Sequence, residues 1–248
     1  MSTSERDTVS GAGRNAAAVW RPLLPATLSS RIVEQIRGAI FEHKLNPGEF
    51  LGTEASLAER FRVSRTAARD AIRSLHALGL VTIRKGAGGG ITIAEGDPDR
   101  LAEALAIQLL LLGVSVPNLL DAQFAIELLT VEVAAQKITD AELEQLRSII
   151  AAAEQKIAEA GPFIDLIFDF HVALAKVSLN AALAIPLKAY MDALRPYYRQ
   201  ATTRERAARV VGRYRELLEL MAKRDAIAAK AAIAKHQMLV RRSVFRDR

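Results

Sequence analysis

The chain has 248 residues, of which 50% are hydrophobic and 5% aromatic, and its net charge at pH 7 is +6. A hydrophobic fraction this high excludes a wholly disordered chain, and the dominance of alanine, leucine and isoleucine favours helical bundles. The length fits one large domain or two small ones. There is no cysteine, which excludes disulfides, cysteine-bound zinc and thiol catalysis and fits a reducing cytoplasm.

The N-terminal part of the chain predicts a tail followed by three helices. Residues 1–24 are small and polar, lack the apolar core of a signal peptide, and are expected to be disordered. Apolar residues recur at helical spacing over Leu28–His43, and the Asn-Pro-Gly sequence at 46–48 predicts a turn. Thr53 is expected to cap a short second helix, and a third helix should occupy Ser64–Leu78, with the serine as its cap.

A β-hairpin is predicted after the third helix. Two short β-patterned segments, 81–83 and 91–93, flank a glycine-rich loop at 85–90. Three helices followed by a hairpin are the order of a winged helix-turn-helix. We therefore assign residues 25–94 to such a domain and residues 95–100 to a linker.

The rest of the chain, 101–248, is predicted to be helical throughout. Thr139–Glu142 has the spacing of a capping box. Breaks between helices are expected at Gly161-Pro162, with the proline in a first turn, at Thr202-Thr203 and at Arg224-Asp225. Six or seven helices with short connections predict an antiparallel bundle. The expected fold class is therefore mainly α, a winged helix-turn-helix followed by an all-helical bundle.

Positive charge is concentrated in the third helix and the hairpin. Residues 60–90 contain seven arginines and lysines against one aspartate, which accounts for the net charge of the whole chain. Arginines recur every fourth residue, opposite the apolar face of the helix, where a guanidinium can donate to two guanine acceptors in a major groove. Hydroxyls at the helix N-terminus suit phosphates, and a lysine on the glycine loop could reach the minor groove. The ordinary alternative is a solvated helix face. The residues assigned to DNA binding are Ser64, Arg65, Thr66, Arg69, Arg73 and Lys85.

The same segment resembles the GntR family of transcription regulators over roughly Leu28–Ile93. The matching residues are Pro47-Gly48-Glu49, Glu54, Leu57-Ala58, Val63-Ser64-Arg65-Thr66 and Gly79-Leu80-Val81. The resemblance implies DNA contacts at Ser64, Arg65, Thr66, Arg69, Lys85 and Gly86. Ala55 falls where some members carry an additional DNA-contacting arginine, and Asp70 replaces the usual glutamate.

The C-terminal half resembles the FadR-type effector domain over about Leu119–Leu239. The matching residues are Glu127, Ala134-Ala135, Phe170-His171, Asn180, Asp225 and His236. The resemblance implies a ligand-sensing and dimerising helical bundle. It also implies a homodimer on a short two-fold-symmetric operator, most commonly a repressor that a small molecule releases.

Many members of this subfamily hold a divalent metal in the bundle through one aspartate and three histidines. Here Ile167 stands at the aspartate position and Tyr214 at one histidine position, which leaves His171 and His236. Two imidazoles and a neutral phenol are a poor set for a divalent cation, so no metal or other cofactor is expected, and hydrogen-bonded core histidines are the simpler interpretation. Gln123 replaces an arginine that commonly meets a carboxylate effector. The five residues predict a largely apolar ligand pocket for a hydrophobic acid or its coenzyme A thioester.

A second arginine-rich segment runs from Arg195 to Arg215. It contains seven arginines against Glu205 alone. A solvated surface is the ordinary interpretation, and a phosphate-binding rim for a coenzyme A thioester is the alternative.

The sequence thus predicts a cytoplasmic, ligand-responsive DNA-binding transcription regulator. An enzyme is not expected, because the helical half shows neither a nucleophile with its base nor a glycine-rich phosphate loop that opens a helix. Two alternatives remain open. One is a metal-dependent sensor of a small carboxylate, and the other is an architectural DNA-binding protein without an effector.

Overall fold

The computed structural model describes residues 27–86 and 88–244. The chain divides into two compact units, one ending at Gly96 and the other beginning at Asp97. Each unit has a hydrophobic core of its own. The predicted tail, 1–24, lies outside the described residues.

The N-terminal unit consists of three helices and a small sheet. In chain order its elements are α1 (Leu28–Phe41), β1 (Phe50–Gly52), α2 (Glu54–Phe61), α3 (Arg65–Ala77), β2 (Val81–Arg84) and β3 (Gly90–Ile93). β3 pairs antiparallel with both β1 and β2. The sequence predicts the helices and the hairpin but not β1, because three residues are too few to show an alternating pattern.

Local hydrogen bonds fix the helix-turn-helix. Thr53 and Ser64 accept backbone N–H groups at the starts of α2 and α3, from Ser56 and Ala67 respectively, so both predicted caps are present. Arg62 ends α2 in a left-handed conformation, with φ of 52°. A single residue in this conformation stops the helix, and the short turn that follows leads directly into α3.

The inner face of α3 forms the centre of the N-terminal core. Ala71 and Leu75 are fully buried. They belong to one cluster with Ile36 of α1, Leu57 of α2 and Ile91 of β3. This packing holds the rest of α3 against the domain and leaves its opposite face to solvent.

The C-terminal unit consists of seven helices within the described residues. They are α4 (Pro98–Leu111), α5 (Val116–Lys137), α6 (Asp140–Glu154), α7 (Ala160–Val177), α8 (Ala181–Ala201), α9 (Arg204–Ala222) and α10 (Ala226–Val244). α5 packs against α7, α8 and α10, and α6 packs against α7 and α9. This architecture confirms the predicted fold class. None of the described helices combines the length and the apolar character that crossing a membrane requires.

Two boundaries differ from those predicted. α4 begins at Pro98, inside the expected linker of 95–100, because the Asp97 side chain accepts two backbone N–H groups and caps the helix. Gly161-Pro162 lies inside α7 and not between α6 and α7, although the proline is in a first turn as predicted, where its missing N–H costs no helical hydrogen bond. The predicted capping box at Thr139–Glu142 is present.

The burial of α3 makes its inner face the most sensitive surface of the N-terminal unit. Leu75→Ala should destabilise this unit by about 2–5 kcal/mol, since it leaves a cavity in the core. Leu78 lies about one turn after Leu75, and its side chain is 59% exposed. Leu78→Ala should therefore change the free energy of unfolding by less than about 0.5 kcal/mol. Urea unfolding followed by amide hydrogen exchange would measure both. Equal effects would contradict the assigned inner face.

Candidate functional site

The residues predicted to bind DNA lie at the surface of the N-terminal unit. All of the following are solvent exposed: Ser64, Arg65, Thr66, Arg69, Arg73, Lys85 and Gly86. A shallow groove joins α3 to the hairpin and is lined by Arg69, Arg73, Arg84 and Gly86. Gly86 has φ of +101°, a conformation that favours glycine. The structure thus brings Arg69 and Arg73 of α3 next to the hairpin and adds Arg84, which was not among the predicted residues, whereas Arg65 and Lys85 lie outside this groove.

Arg69 is held by a carboxylate. Its Nε lies 3.1 and 3.0 Å from the two carboxylate oxygens of Glu54, and its Nη2 lies 2.8 Å from one of them. These hydrogen bonds, with the charges of Arg69, Arg65 and Arg73, lower the pKa of Glu54. One edge of the Arg69 guanidinium is therefore occupied, whereas Arg65 and Arg73 make no salt bridge with any described residue. The sequence did not indicate this pair, because its members are 15 residues apart and in different helices.

The C-terminal unit contains a cavity of about 210 Å³ between α5, α7, α8, α9 and α10. All five residues predicted to bind a ligand line this cavity, namely Gln123, Ile167, His171, Tyr214 and His236. Its apolar wall includes Phe163, Ile164, Phe168, Val210 and Val240. Pockets for drug-sized ligands measure about 300–1,000 Å³, so this cavity fits the body of a more compact molecule.

A buried carboxylate begins a chain of hydrogen bonds along one side of the cavity. Glu127 is 3% exposed. Its Oε1 accepts a hydrogen bond from Gln123 Nε2 at 2.8 Å and lies 3.2 Å from His171 Nδ1. Its Oε2 accepts a hydrogen bond from Gln237 Nε2 at 2.8 Å. Three donors from three helices therefore satisfy this carboxylate, which the sequence marked only as part of a family resemblance.

The chain continues through Tyr214. The tyrosine hydroxyl lies 2.6 Å from Nε2 of His171 and 3.1 Å from Nε2 of His236. Because both Glu127 oxygens accept hydrogen bonds, we assign His171 as a donor at Nδ1 and an acceptor at Nε2. Tyr214 then donates to His171 and accepts from His236. Nδ1 of His236 remains an acceptor, and it has no hydrogen-bond partner within the described part of the chain.

Burial keeps the imidazoles and the phenol of this hydrogen-bonded series uncharged. It lowers the pKa of His171, with Glu127 acting in the opposite direction. Burial lowers the pKa of His236 to about 3, and Arg213 and a protonated His171 act in the same direction. Burial also raises the pKa of Tyr214 well above its usual value. The imidazoles and the phenol are therefore neutral at pH 7, as the alternation of donors and acceptors requires.

The side chains in the cavity do not offer a suitable set of ligand atoms for a divalent metal ion. A cation bound to Nε2 of both His171 and His236 would occupy the position of the Tyr214 hydroxyl, which bonds to both nitrogens. Ile167 offers no ligand atom. Across residues 27–86 and 88–244, no group of three or more histidine, cysteine, aspartate or glutamate side chains is placed to hold a metal.

Six of the seven arginines between Arg195 and Arg215 fall into two groups, and the exposed Arg204 belongs to neither. Arg195 and Arg199 pair with Asp165, and Arg215 pairs with Glu154. Three others line the cavity, namely Arg206, Arg209 and Arg213. The segment is thus neither wholly a solvated surface nor wholly a rim.

Two family models match the chain. The model for bacterial regulatory proteins of the GntR family matches residues 28–91, and the FCD domain model matches residues 118–238. Each match covers most of the described part of one unit.

Individual proteins give the same assignment. An uncharacterised HTH-type transcriptional regulator of Mycobacterium tuberculosis is 32% identical over 39% of this chain and 46% of its own length. The HTH-type transcriptional regulator LutR of Bacillus subtilis is 35% identical over 32% of this chain and 36% of its own length. The chain thus matches less than half the length of these curated relatives.

The solved structure of Streptococcus agalactiae GntR is 26% identical, with a TM-score of 0.54, and covers 87% of this chain and 100% of its own. The proteins that the chain resembles are transcription regulators rather than enzymes. With a GntR-type winged helix-turn-helix followed by an FCD domain, the chain belongs to the GntR family of bacterial regulatory proteins.

Proposed function

We propose that this protein is a ligand-responsive transcription regulator of the FadR-like subgroup, which acts in the cytoplasm as a homodimer. It binds a short two-fold-symmetric operator and represses transcription until an organic effector enters the C-terminal unit. The observation that carries this proposal is a combination of two features. In one unit α3 bears exposed arginines, and in the other unit a largely apolar cavity has polar side chains along one side.

The DNA-binding role rests on α3 and the hairpin. The N-terminal end of α3 carries Ser64, Arg65 and Thr66, all exposed, on a helix whose other face is buried. This arrangement lets the end of the helix enter a major groove, with hydroxyls at the phosphates and a guanidinium at a guanine. In a homodimer, two such helices related by two-fold symmetry would read a palindromic site.

The effector class rests on the lining of the cavity. Phenylalanine and isoleucine side chains can bury an apolar body, at about 25 cal/mol per Å² removed from water. Gln123 donates to Glu127 and accepts from the Tyr198 hydroxyl at 3.2 Å, so both ends of this amide are engaged within the protein. We therefore expect a hydrophobic acid, or its coenzyme A thioester, rather than a small polycarboxylate such as citrate.

The two alternatives receive less support. A metal-dependent sensor would need the site that the Tyr214 hydroxyl occupies between the two imidazoles. An architectural protein without an effector has no use for the cavity, because a cavity lowers the packing density of the core. It would equally have no use for a buried imidazole nitrogen without a described hydrogen-bond partner.

Arg65→Ala should abolish specific operator binding and leave the helical content intact. One lost bidentate contact to a base costs about tenfold or more in affinity. Arg31→Ala, an exposed arginine of α1 with the same change in charge, is the matched control and should bind nearly normally. Gel-shift titrations would compare the two variants on operator and random DNA. Operator binding by Arg65→Ala within about threefold of wild type would refute the assignment.

The C-terminal unit should lose stability as the pH falls, without any involvement of metal. Unfolded His236 takes up a proton below about pH 6.5, whereas the native side chain has a pKa of about 3, so its contribution falls by about 2 kcal/mol between pH 7.5 and 5. His171 acts in the same direction. Urea unfolding at both pH values should show a smaller decrease in His236→Gln than in wild type. Near-stoichiometric zinc, nickel or manganese in protein purified without chelator would contradict the metal-free proposal.

Hydrophobic acids should both stabilise the protein and release it from DNA. Acids of about six to ten carbons and their coenzyme A thioesters are expected to raise the melting temperature of the C-terminal unit and dissociate an operator complex at micromolar concentration. Citrate is the negative control. Release by small hydroxy acids alone would contradict the effector class, and stabilisation by none of the compounds would favour the architectural alternative.

A further inference from the structure

Three arginines stand at the opening of the cavity. Arg206, Arg209 and Arg213 all line it and follow one another at spacings of three and four along α9, so they share one helix face. Arg209 is exposed, and Arg206 and Arg213 are half-buried. Of the other polar residues of the lining, Tyr198 and Thr202, at the end of α8, are half-buried, and the rest, such as Glu127 and His171, are buried. The arginines therefore mark the side from which solvent and a ligand would enter.

These three arginines are not neutralised by the protein. None of them makes a salt bridge with a described residue, whereas Arg195, Arg199 and Arg215 of the same segment are all paired with carboxylates. Nη1 of Arg206 donates to the carbonyl oxygen of Ala201 at 2.6 Å, which orients the guanidinium and leaves its other N–H groups for a ligand. A cluster of guanidinium groups without carboxylates attracts an anion.

The start of α9 adds to this attraction. The helix begins at Arg204 after the cap Thr203, so Arg206 lies in its first turn. Thr202 and Ala207, on either side of the helix start, also line the cavity. The free N–H groups and the dipole at a helix N-terminus favour a negative charge.

The interior of the cavity favours the apolar end of a ligand over its anionic end. Its carboxylate, Glu127, would repel an anion. The amide donors and the His171 N–H are already engaged with that carboxylate, and the His236 N–H is engaged with Tyr214. The one group left without a described partner, Nδ1 of His236, is assigned as an acceptor. An apolar body fits there, and a hydroxyl or amide N–H could donate to this nitrogen, but a carboxylate finds no donor.

We propose that Arg206, Arg209 and Arg213 form an anion-binding mouth, so that the effector enters with its apolar body first and keeps its anionic oxygen group at the opening. This inference rests on the proposed function, in which the cavity holds the effector. The anionic group is a carboxylate if the effector is a free acid and a phosphate if it is a coenzyme A thioester. In both cases the arginines, and not the residues around Glu127, recognise the charge.

Calorimetric titration of the full chain with octanoate, octanol and octanoyl-coenzyme A tests this orientation. Wild type should bind octanoate at least about tenfold more tightly than octanol, because only the acid has charge-assisted hydrogen bonds. Arg209→Gln combined with Arg213→Gln should weaken octanoate about tenfold and leave octanol unchanged. Arg204→Gln, an exposed arginine of α9 outside the cavity lining, is the matched control and should behave as wild type.

The outcomes separate the two proposals. Equal affinity for octanoate and octanol, or an acid preference that survives in the double variant, overturns the arginine mouth while the cavity remains an effector site. Binding of none of the three probes by wild type overturns both proposals. Tighter binding of octanoyl-coenzyme A that is lost in the double variant supports the mouth and assigns the anionic group to phosphate. Arg209→Gln alone, on an exposed side chain, repeats the test should the double variant fold poorly.

Discussion

A carboxylate in the interior of a helical bundle must be supplied with donors, and the arrangement of the C-terminal unit follows from meeting that requirement at Glu127. Gln123 lies one turn away on α5, and Gln237 reaches the carboxylate from α10. His171 approaches from α7. Removing one partner of a buried charge is far more destabilising than the pair itself is stabilising. The three helices are therefore held in register by a group that could not remain there unpaired.

The same carboxylate determines the character of the cavity at some distance. By turning the N–H of His171 towards itself, it makes the far nitrogen of that ring an acceptor and so sets the direction of the Tyr214 hydroxyl. The hydroxyl in turn orients His236. Hydrogen bonding within the protein thus satisfies the groups that would otherwise be available to a metal or to a carboxylate ligand. Recognition of charge is left to α9, at the edge of the cavity.

Features that depend on neighbours in the sequence were predictable, and those that depend on distant residues were not. The caps at Thr53 and Ser64 and the buried stripe that includes Ile167 and His171 follow from spacing alone, and the structure contains them. Convergence of the five predicted ligand residues on one cavity required the family resemblance, because they lie on four different helices.

The carboxylate partners could not be predicted in either way. Glu54 with Arg69, and Glu127 with His171 and Gln237, join residues that no helical or strand period relates. The division of the second arginine-rich segment likewise depends on where Asp165 and Glu154 lie in the fold. A charge count over a stretch of sequence reports the number of arginines and not which of them have a carboxylate nearby.

The pairing of Arg69 with Glu54 bears on how the protein would respond to ionic strength. Binding to DNA releases condensed counterions, and the logarithm of affinity falls with the logarithm of salt concentration by about 0.9 for each phosphate that a cation neutralises. A guanidinium that already carries a carboxylate on one edge displaces fewer of these ions than a free one, although its remaining N–H groups can still read a base. The Arg69 guanidinium is thus held in a fixed orientation, and its sequence-independent attraction to DNA phosphates is weaker than that of a free arginine. The affinity for DNA should therefore decline less steeply with salt than three free arginines on one helix would indicate, and a larger share of that affinity should depend on the base sequence.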